Sequence, residues 1–142
     1  MRPSPRQAKQ PKQQTLFLPG MFNETLTLLF DAHHYFQSRG AEEQSSIPPD
    51  QRPLYAAEMS RITLRLTSVM AWIMVRKAIF SGKIDEEQAS EKYRFTAEEF
   101  CLAPKPADID DLPYYINYLS DRSRDLYTRI ARLDAQAYGK RH

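Results

Sequence analysis

Asp31, His33, His34 and Cys101 are the side chains in this sequence whose types could do chemistry. Asp31 and His34 have the three-residue offset of carboxylate–histidine pairs in di-iron bundles, but such sites use two of these motifs plus further carboxylates. Adjacent helical residues point about 100° apart, so His33 and His34 cannot share one metal without strain. His33 is expected to pack at a helix seam and His34 to face solvent. A phosphotransfer histidine on a helical bundle is the more serious rival. Such modules place a lysine three residues after the histidine, followed by a small residue. Here Gln37 and Ser38 follow His34, so the supporting charge is missing. Cys101 lies in a proline-rich stretch with no histidine near it, which argues against an activated nucleophile. No glycine-rich phosphate loop and no Ser/His/Asp arrangement can be assembled. The expectation is a protein without catalysis, metal or cofactor.

Two further groups fit contacts rather than reactions. Arg61 and Arg65 stand one helical turn apart, and Asp134 lies near the far end of the chain. An interhelical ion pair between one of these arginines and Asp134 is expected; the alternative is an exposed basic patch for a partner protein. Val69 to Val75 is an unbroken apolar run, flanked at a distance by the tyrosine-rich "LPYYINYL".

These residues must be positioned by helices. Phe22, Leu26, Leu29, His33 and Phe36 recur at four-three spacing, with Asn23 as the expected N-cap and Gly40 as a stop. "GAEEQSSIPPDQ" reads as a loop. A second helix from about Asp50 carries the stripe Tyr55, Met59, Ile62, Leu66, Val69, Ile73, Arg76, Phe80 and leaves at Gly82. Asp85 and Gln88 have capping-box spacing for a shorter helix. The last helix, from Leu112 to Tyr138 with Asp111 as its cap, carries Leu112, Ile116, Leu119, Ser123, Leu126, Ile130, Leu133 and Ala137. That alternation specifies a helix–helix seam. No β pattern competes, so the expected fold is all-α: an antiparallel bundle of three long helices with an additional short one.

Helix lengths then bear on the apolar run. With a start after Gly20, the first helix is roughly 14 Å shorter than the second at ~1.5 Å per residue. Phe22 would reach only to about Met70, leaving Trp72, Ile73, Met74, Val75 and Phe80 without that neighbour. The short helix from Asp85 could cover them, or a second copy of the chain could. The second option predicts a twofold interface of Val69, Met70, Trp72, Ile73, Met74, Tyr114, Tyr115 and Tyr118, rich in the types favoured at interface cores.

Length and composition bound the setting. The 142 residues suit one domain, with 42% apolar and 27% charged residues. The longest apolar run is far short of a membrane span, and the N-terminus lacks the apolar core of a secretory signal. One cysteine fits a reducing compartment, so a cytoplasmic location is the default. Residues 1–20 hold Arg2, Arg6, Lys9 and Lys12 and no acid, so a net charge of +2 leaves −2 on the other 122 residues. A body without excess positive charge is a poor nucleic-acid binder. Residues 1–20 read as a disordered basic tail, 21–139 as the bundle, and 140–142 as a short end.

"LYAAEMSRITLRLTSVMAWIMVRKAIFSGKI", followed at a distance by "RSRDLYTRIARLDAQAYG", resembles the alphaproteobacterial family of the regulator of CtrA degradation, also catalogued as a domain of unknown function. The similarity runs from about Phe22 to Gly139. It implies a homodimeric helical bundle acting as a proteolytic adaptor, which helps the ClpXP unfoldase–protease engage cell-cycle regulators together with a response regulator. The best-characterised members extend beyond the last helix in a flexible tail, whereas this sequence ends at His142. A histidine phosphotransfer-like bundle and a homodimeric scaffold without adaptor activity are the alternatives.

Overall fold

The computed structural model describes residues 5–92, 94, 95, 98–106 and 108–138, with side chains from Leu18 onward. Its long elements are α1 (Pro5–Ser38), α3 (Arg52–Phe80) and α6 (Tyr114–Tyr138). Between them lie the short helices α2 (Gly40–Ser46), α4 (Glu86–Lys92) and α5 (Glu98–Cys101), and two 3-10 turns at Pro49–Gln51 and Ile109–Asp111. No strand occurs among the described residues. The class is all-α, as the periodicity indicates.

Helix α1 does not begin after Gly20. It runs through Pro19, Gly20 and Asn23, and its buried stripe is Leu18, Met21, Thr25, Leu28, Ala32 and Tyr35. Stopping at Pro19 would forfeit the burial of Leu18 and Met21, each worth ~1.5–3 kcal/mol. The bundle therefore takes in Leu18, ahead of the expected boundary at residue 21; residues 1–4 and 139–142 lie outside the described ones. The expected α1 stripe is off by one position. Phe22, Leu29 and Phe36 are half-buried beside the core, while His33 is exposed rather than packed at a seam. Residues 40–46, expected as loop, close into α2, which Gly40 and Ile47 pin to the core.

Local chemistry explains the remaining boundaries. Pro53 sits in the first turn of α3, where a missing N–H costs nothing. Gly82 leaves the helix at φ 75°, a left-handed conformation that favours glycine. The capping box forms as expected: the Gln88 amide donates to Asp85 Oδ1 at 2.7 Å, and the Asp85 amide donates to Gln88 Oε1 at 3.2 Å. Asp111 belongs to the second 3-10 turn and does not cap α6, which starts beyond Pro113.

The direction of α6 departs from the expected antiparallel arrangement. α1 is antiparallel to both neighbours, with Phe22 beside Lys77, Glu24 beside Arg129 and Tyr35 packed at a tilt on Tyr115. α3 and α6 run parallel: Glu58 meets Ser120, Arg65 meets Ser123, Trp72 meets Asp134 and Arg76 meets Tyr138. Residues 81–113 make this possible by returning along the outside of the α3–α6 groove. Glu86 lies near the end of α3, Cys101 near its middle and Asp111 beside Gln51 at its start. The result is a three-helix bundle with a long crossover laid over one groove.

Candidate functional site

Two features of α3 define the sites. One is its buried polar side, which faces α6 and the crossover. The other is its outward side.

Glu58, Arg65, Trp72 and Arg76 share the stripe facing α6, alternating with the apolar residues Tyr55, Ile62 and Val69. Arg65 is almost fully buried, and its Nε donates to the Cys101 carbonyl at 2.8 Å. Its Nη1 donates to the Ser120 carbonyl at 3.1 Å and to Ser123 Oγ at 3.2 Å. Arg61 donates from Nε to the Phe100 carbonyl at 3.2 Å and from Nη1 to Glu58 Oε1 at 2.8 Å. Ser120 Oγ donates to the other Glu58 oxygen at 2.9 Å. From α6, Arg124 donates to the Ala103 and Leu102 carbonyls at 2.7 and 3.2 Å. Three guanidinium groups thus hold four consecutive carbonyls at the end of α5. Burial lowers the pKa of Arg65, opposed by the attraction of Glu58. It also raises the Cys101 thiol, so this cysteine is a buried, protonated side chain rather than a nucleophile. Cys101 lies in α5 and not in a loop.

A second polar cluster closes the other end of the groove. Trp72 Nε1 donates to Asp134 Oδ1 at 3.2 Å, and Arg94 pairs with Asp134 Oδ2 at 3.1 Å. Arg76 forks onto both oxygens of Glu86 and reaches the Tyr138 hydroxyl. Burial and the hydrogen bond to Glu86 push the Tyr138 phenol up to about 12. Phe95 stacks on Tyr127 with ring centroids 4.7 Å apart, and burial raises the Tyr127 phenol as well.

The expected ion pair is therefore corrected. Asp134 pairs with Arg94, Arg61 pairs with Glu58, and Arg65 bonds carbonyls and serines. The parallel register is the reason: it sets Trp72, two turns beyond Arg65, opposite Asp134. Only the crossover brings Arg94 there.

The expected interface residues divide in the same way. Val69, Trp72 and Ile73 are buried inside the chain's own core, and Met70 is half-buried. Met74 is 53% exposed, and at the far end of the bundle Tyr114 is 85% and Tyr118 39% exposed. Tyr115 stacks on Tyr118 and meets the Tyr35 ring at a tilt. Because α6 runs parallel to α3, Tyr114 and Met74 sit at opposite ends, roughly 30 Å apart at ~1.5 Å per residue. No single surface brings the girdle and the tyrosines together. The length argument also falls, because α1 extends upstream and the Lys77 ammonium lies 4.0 Å above the Phe22 ring.

What remains uncovered is the outward side of α3. Ala56, Ser60, Thr63, Thr67, Ala71 and Met74 are exposed along it, flanked by the half-buried Met59, Leu64, Met70 and Val75. No charged side chain interrupts this face between Arg52 and Lys77, because Glu58, Arg65 and Arg76 are buried and Arg61 turns to the crossover. A surface helix ordinarily presents charges outward. Half-buried Phe22 of α1 lies at its far end, under the Lys77 ammonium. Met70 and Met74 were legible in the sequence; Ala56, Ser60, Thr63, Thr67 and Ala71, which complete the face, were missed, and their signal was seven-residue recurrence without charge. His34 is exposed on α1, and no group of three or more potential metal ligands occurs among the described residues.

Fold and sites together define a three-helix scaffold whose buried polar groups grip its own crossover and whose helix α3 shows a neutral face to solvent. The chain belongs to the family described as "Protein of unknown function (DUF1465)", which matches residues 9–142. Among solved structures it is similar to RcdA from Caulobacter crescentus CB15, with 25% identity, a TM-score of 0.69, and coverage of 88% of this chain and 93% of that one. No curated protein matches. Among the described residues, no helix is long and apolar enough to cross a membrane.

Proposed function

We propose that this protein is a non-enzymatic interaction module: a homodimeric, cytoplasmic adaptor that helps a ClpX-type unfoldase and its protease engage cell-cycle regulators. The observation that carries the reading is the likeness to RcdA over 88% of the chain. The dimer is supported separately by the outward side of α3. From Ala56 to Ala78 it is roughly 33 Å long at ~1.5 Å per residue. With Phe22 at its far end such a face approaches the ~800 Å² per partner of a standard interface. A neutral surface also fits a second neutral surface, as a twofold contact requires. Met70 and Met74 lie in this interface, whereas Trp72 supports it from beneath.

The test uses the full chain with a purified ClpX-type unfoldase. Nucleotide-dependent binding is the expected result, and no binding at tens of micromolar protein would overturn the adaptor role. Light scattering reads the dimer independently; a dimeric mass without unfoldase binding would leave a homodimeric scaffold. The exposure of His34 favours a second reading, histidine phosphotransfer. Acid-labile phosphate on His34 after incubation with a phosphorylated response regulator would support it.

A further inference from the structure

One end of the bundle holds carboxylates that no cation meets. α2, the two 3-10 turns and the start of α6 gather there, joined where Gln51 donates to Asp111. Residues 39–52 and 108–112 carry Glu42, Glu43, Asp50, Asp108, Asp110 and Asp111 against Arg39 and Arg52, a net charge of −4. None of these groups takes part in an ion pair among the described residues. The deepest of the six acids is Glu43. Its Oε2 is sealed from solvent without a hydrogen-bond partner, and so is the hydroxyl of fully buried Tyr55. Burial raises the pKa of both groups, and the Glu43 carboxylate raises Tyr55 further, so the two stand close together. A sealed carboxylate without a donor is costly and calls for a cation. Exposed Tyr114 and Tyr118 lie beside the same end.

The matching charge is at the opposite end of the chain's own bundle. Residues 1–12 hold Arg2, Arg6, Lys9 and Lys12 and no acid, a net charge of +4. Helix α1 continues 17 residues upstream of Phe22, whose ring meets Lys77, whereas α3 ends three residues past Lys77. Its first turns therefore project beyond the bundle as a basic arm. From Pro5 to Ser38 the helix is roughly 50 Å long at ~1.5 Å per residue. The arm cannot reach α2 of its own chain.

We propose that the basic arm of one copy of this chain seats on the acidic end of a second copy, and reciprocally, as a pair of clasps on the homodimer. The clasps rest on the twofold contact across the outward side of α3 proposed above, and they fix its direction. With the axis perpendicular to α3, the two copies of that helix run antiparallel. Each arm then lies beside its partner's α2 and 3-10 turns. A lysine or arginine of the arm supplies the donor that Glu43 lacks, and Tyr114 and Tyr118 offer ring faces to the others. Charges of +4 and −4 balance at each clasp, and the neutral face of α3 lies between the two.

Light scattering on dilution of the full-length protein reads the dimer at low and high salt. Raising salt from ~0.05 M to ~0.5 M should weaken the wild-type dimer about tenfold, because the clasps join solvent-exposed charges. Lys9→Glu combined with Lys12→Glu should weaken it at least about tenfold in low salt and by little in high salt. Both positions lie upstream of Leu18, the first core residue, so the variant should fold. A zero-length carbodiimide cross-linker, applied to a mixture of isotopically light and heavy copies, then locates the contact. Links from Lys9 or Lys12 to Glu42, Asp110 or Asp111 should join light chains to heavy ones. A monomeric mass at every concentration would remove the twofold contact and the clasps together. A dimer unmoved by the arm substitutions at low salt, or links confined to single copies, would overturn the clasps and leave the twofold contact standing.

Discussion

The two long sides of α3 meet their surroundings in opposite ways. Toward α6 and the crossover it turns Glu58, Arg65 and Arg76; toward solvent it turns Ala56, Ser60, Thr63, Thr67, Ala71 and Met74. Ordinary amphipathy is inverted here. The physical cause on the inner side is the crossover, whose short elements leave backbone carbonyls without intrahelical donors. Buried carbonyls need partners, and long arginine side chains supply several donors each. On the outer side the exposed positions are alanine, serine, threonine and methionine, and no backbone carbonyl there calls for a charged donor. Charge on α3 therefore marks the side that holds irregular backbone, and its absence marks the side facing solvent.

The largest effect expected from breaking this contrast comes from Arg65→Ala. It leaves the Cys101 and Ser120 carbonyls and Ser123 Oγ without their donor and opens a cavity, costing about 3–5 kcal/mol. Urea unfolding measures it, and Arg65→Met, which keeps most of the volume, should cost less. A wild-type midpoint for Arg65→Ala would mean that the inner side does not depend on its charges.

The outer side is probed by Thr67→Glu. Thr67 is exposed, so the monomer should unfold at nearly the wild-type denaturant concentration. The dimer should weaken by at least about 100-fold, ~2.7 kcal/mol, because a carboxylate cannot be buried there unpaired. An unchanged dimer mass on dilution would move the interface elsewhere.

Tyr138 sharpens the contrast through pH. Its phenol titrates at about 12 in the fold, above the ordinary value near 10 for an exposed tyrosine. The folded state thus keeps the proton that the unfolded state has lost, so its contribution is complete below pH 10 and fades as pH rises through 12. Tyr138→Phe should flatten stability against pH by about one proton in that window. At neutral pH it should cost about 1–2 kcal/mol for the bonds with Arg76 and Glu86. The smallest effect is expected from Asp85→Ala, which removes half of the capping box at α4 for about 1 kcal/mol. Faster amide exchange confined to α4 would show that the crossover is built from local units.

Much of this was legible without coordinates, for reasons that stay within one helix. The last helix buries Ile116, Leu119, Ser123, Leu126 and Ile130 as its four-three spacing requires. Asp85 and Gln88 cap each other because capping needs only a three-residue offset, and Gly82 takes the left-handed turn that other residues resist. The all-α class follows from the same periodicities, and so does the neutrality of the α3 run containing Met70 and Met74. The start of α1 was not legible. Pro19 and Gly20 are locally correct stop signals, overruled by the burial of Leu18 and Met21.

Only the tertiary structure decided the rest. A crossover as long as residues 81–113 can return the chain to either end of α3, so spacing within α6 could not say which way that helix runs. Its parallel direction carried Asp134 to Trp72 and Arg94 and away from Arg61 and Arg65. The same direction separated Tyr114 from Met74 and set three arginines over the end of α5. The sequence by itself determined which residues form helices and which stripes they bury, because those depend on neighbours three and four positions away. Which stripes meet depends on how the long connection is laid down, and that follows from packing and from backbone carbonyls seeking donors across the whole molecule.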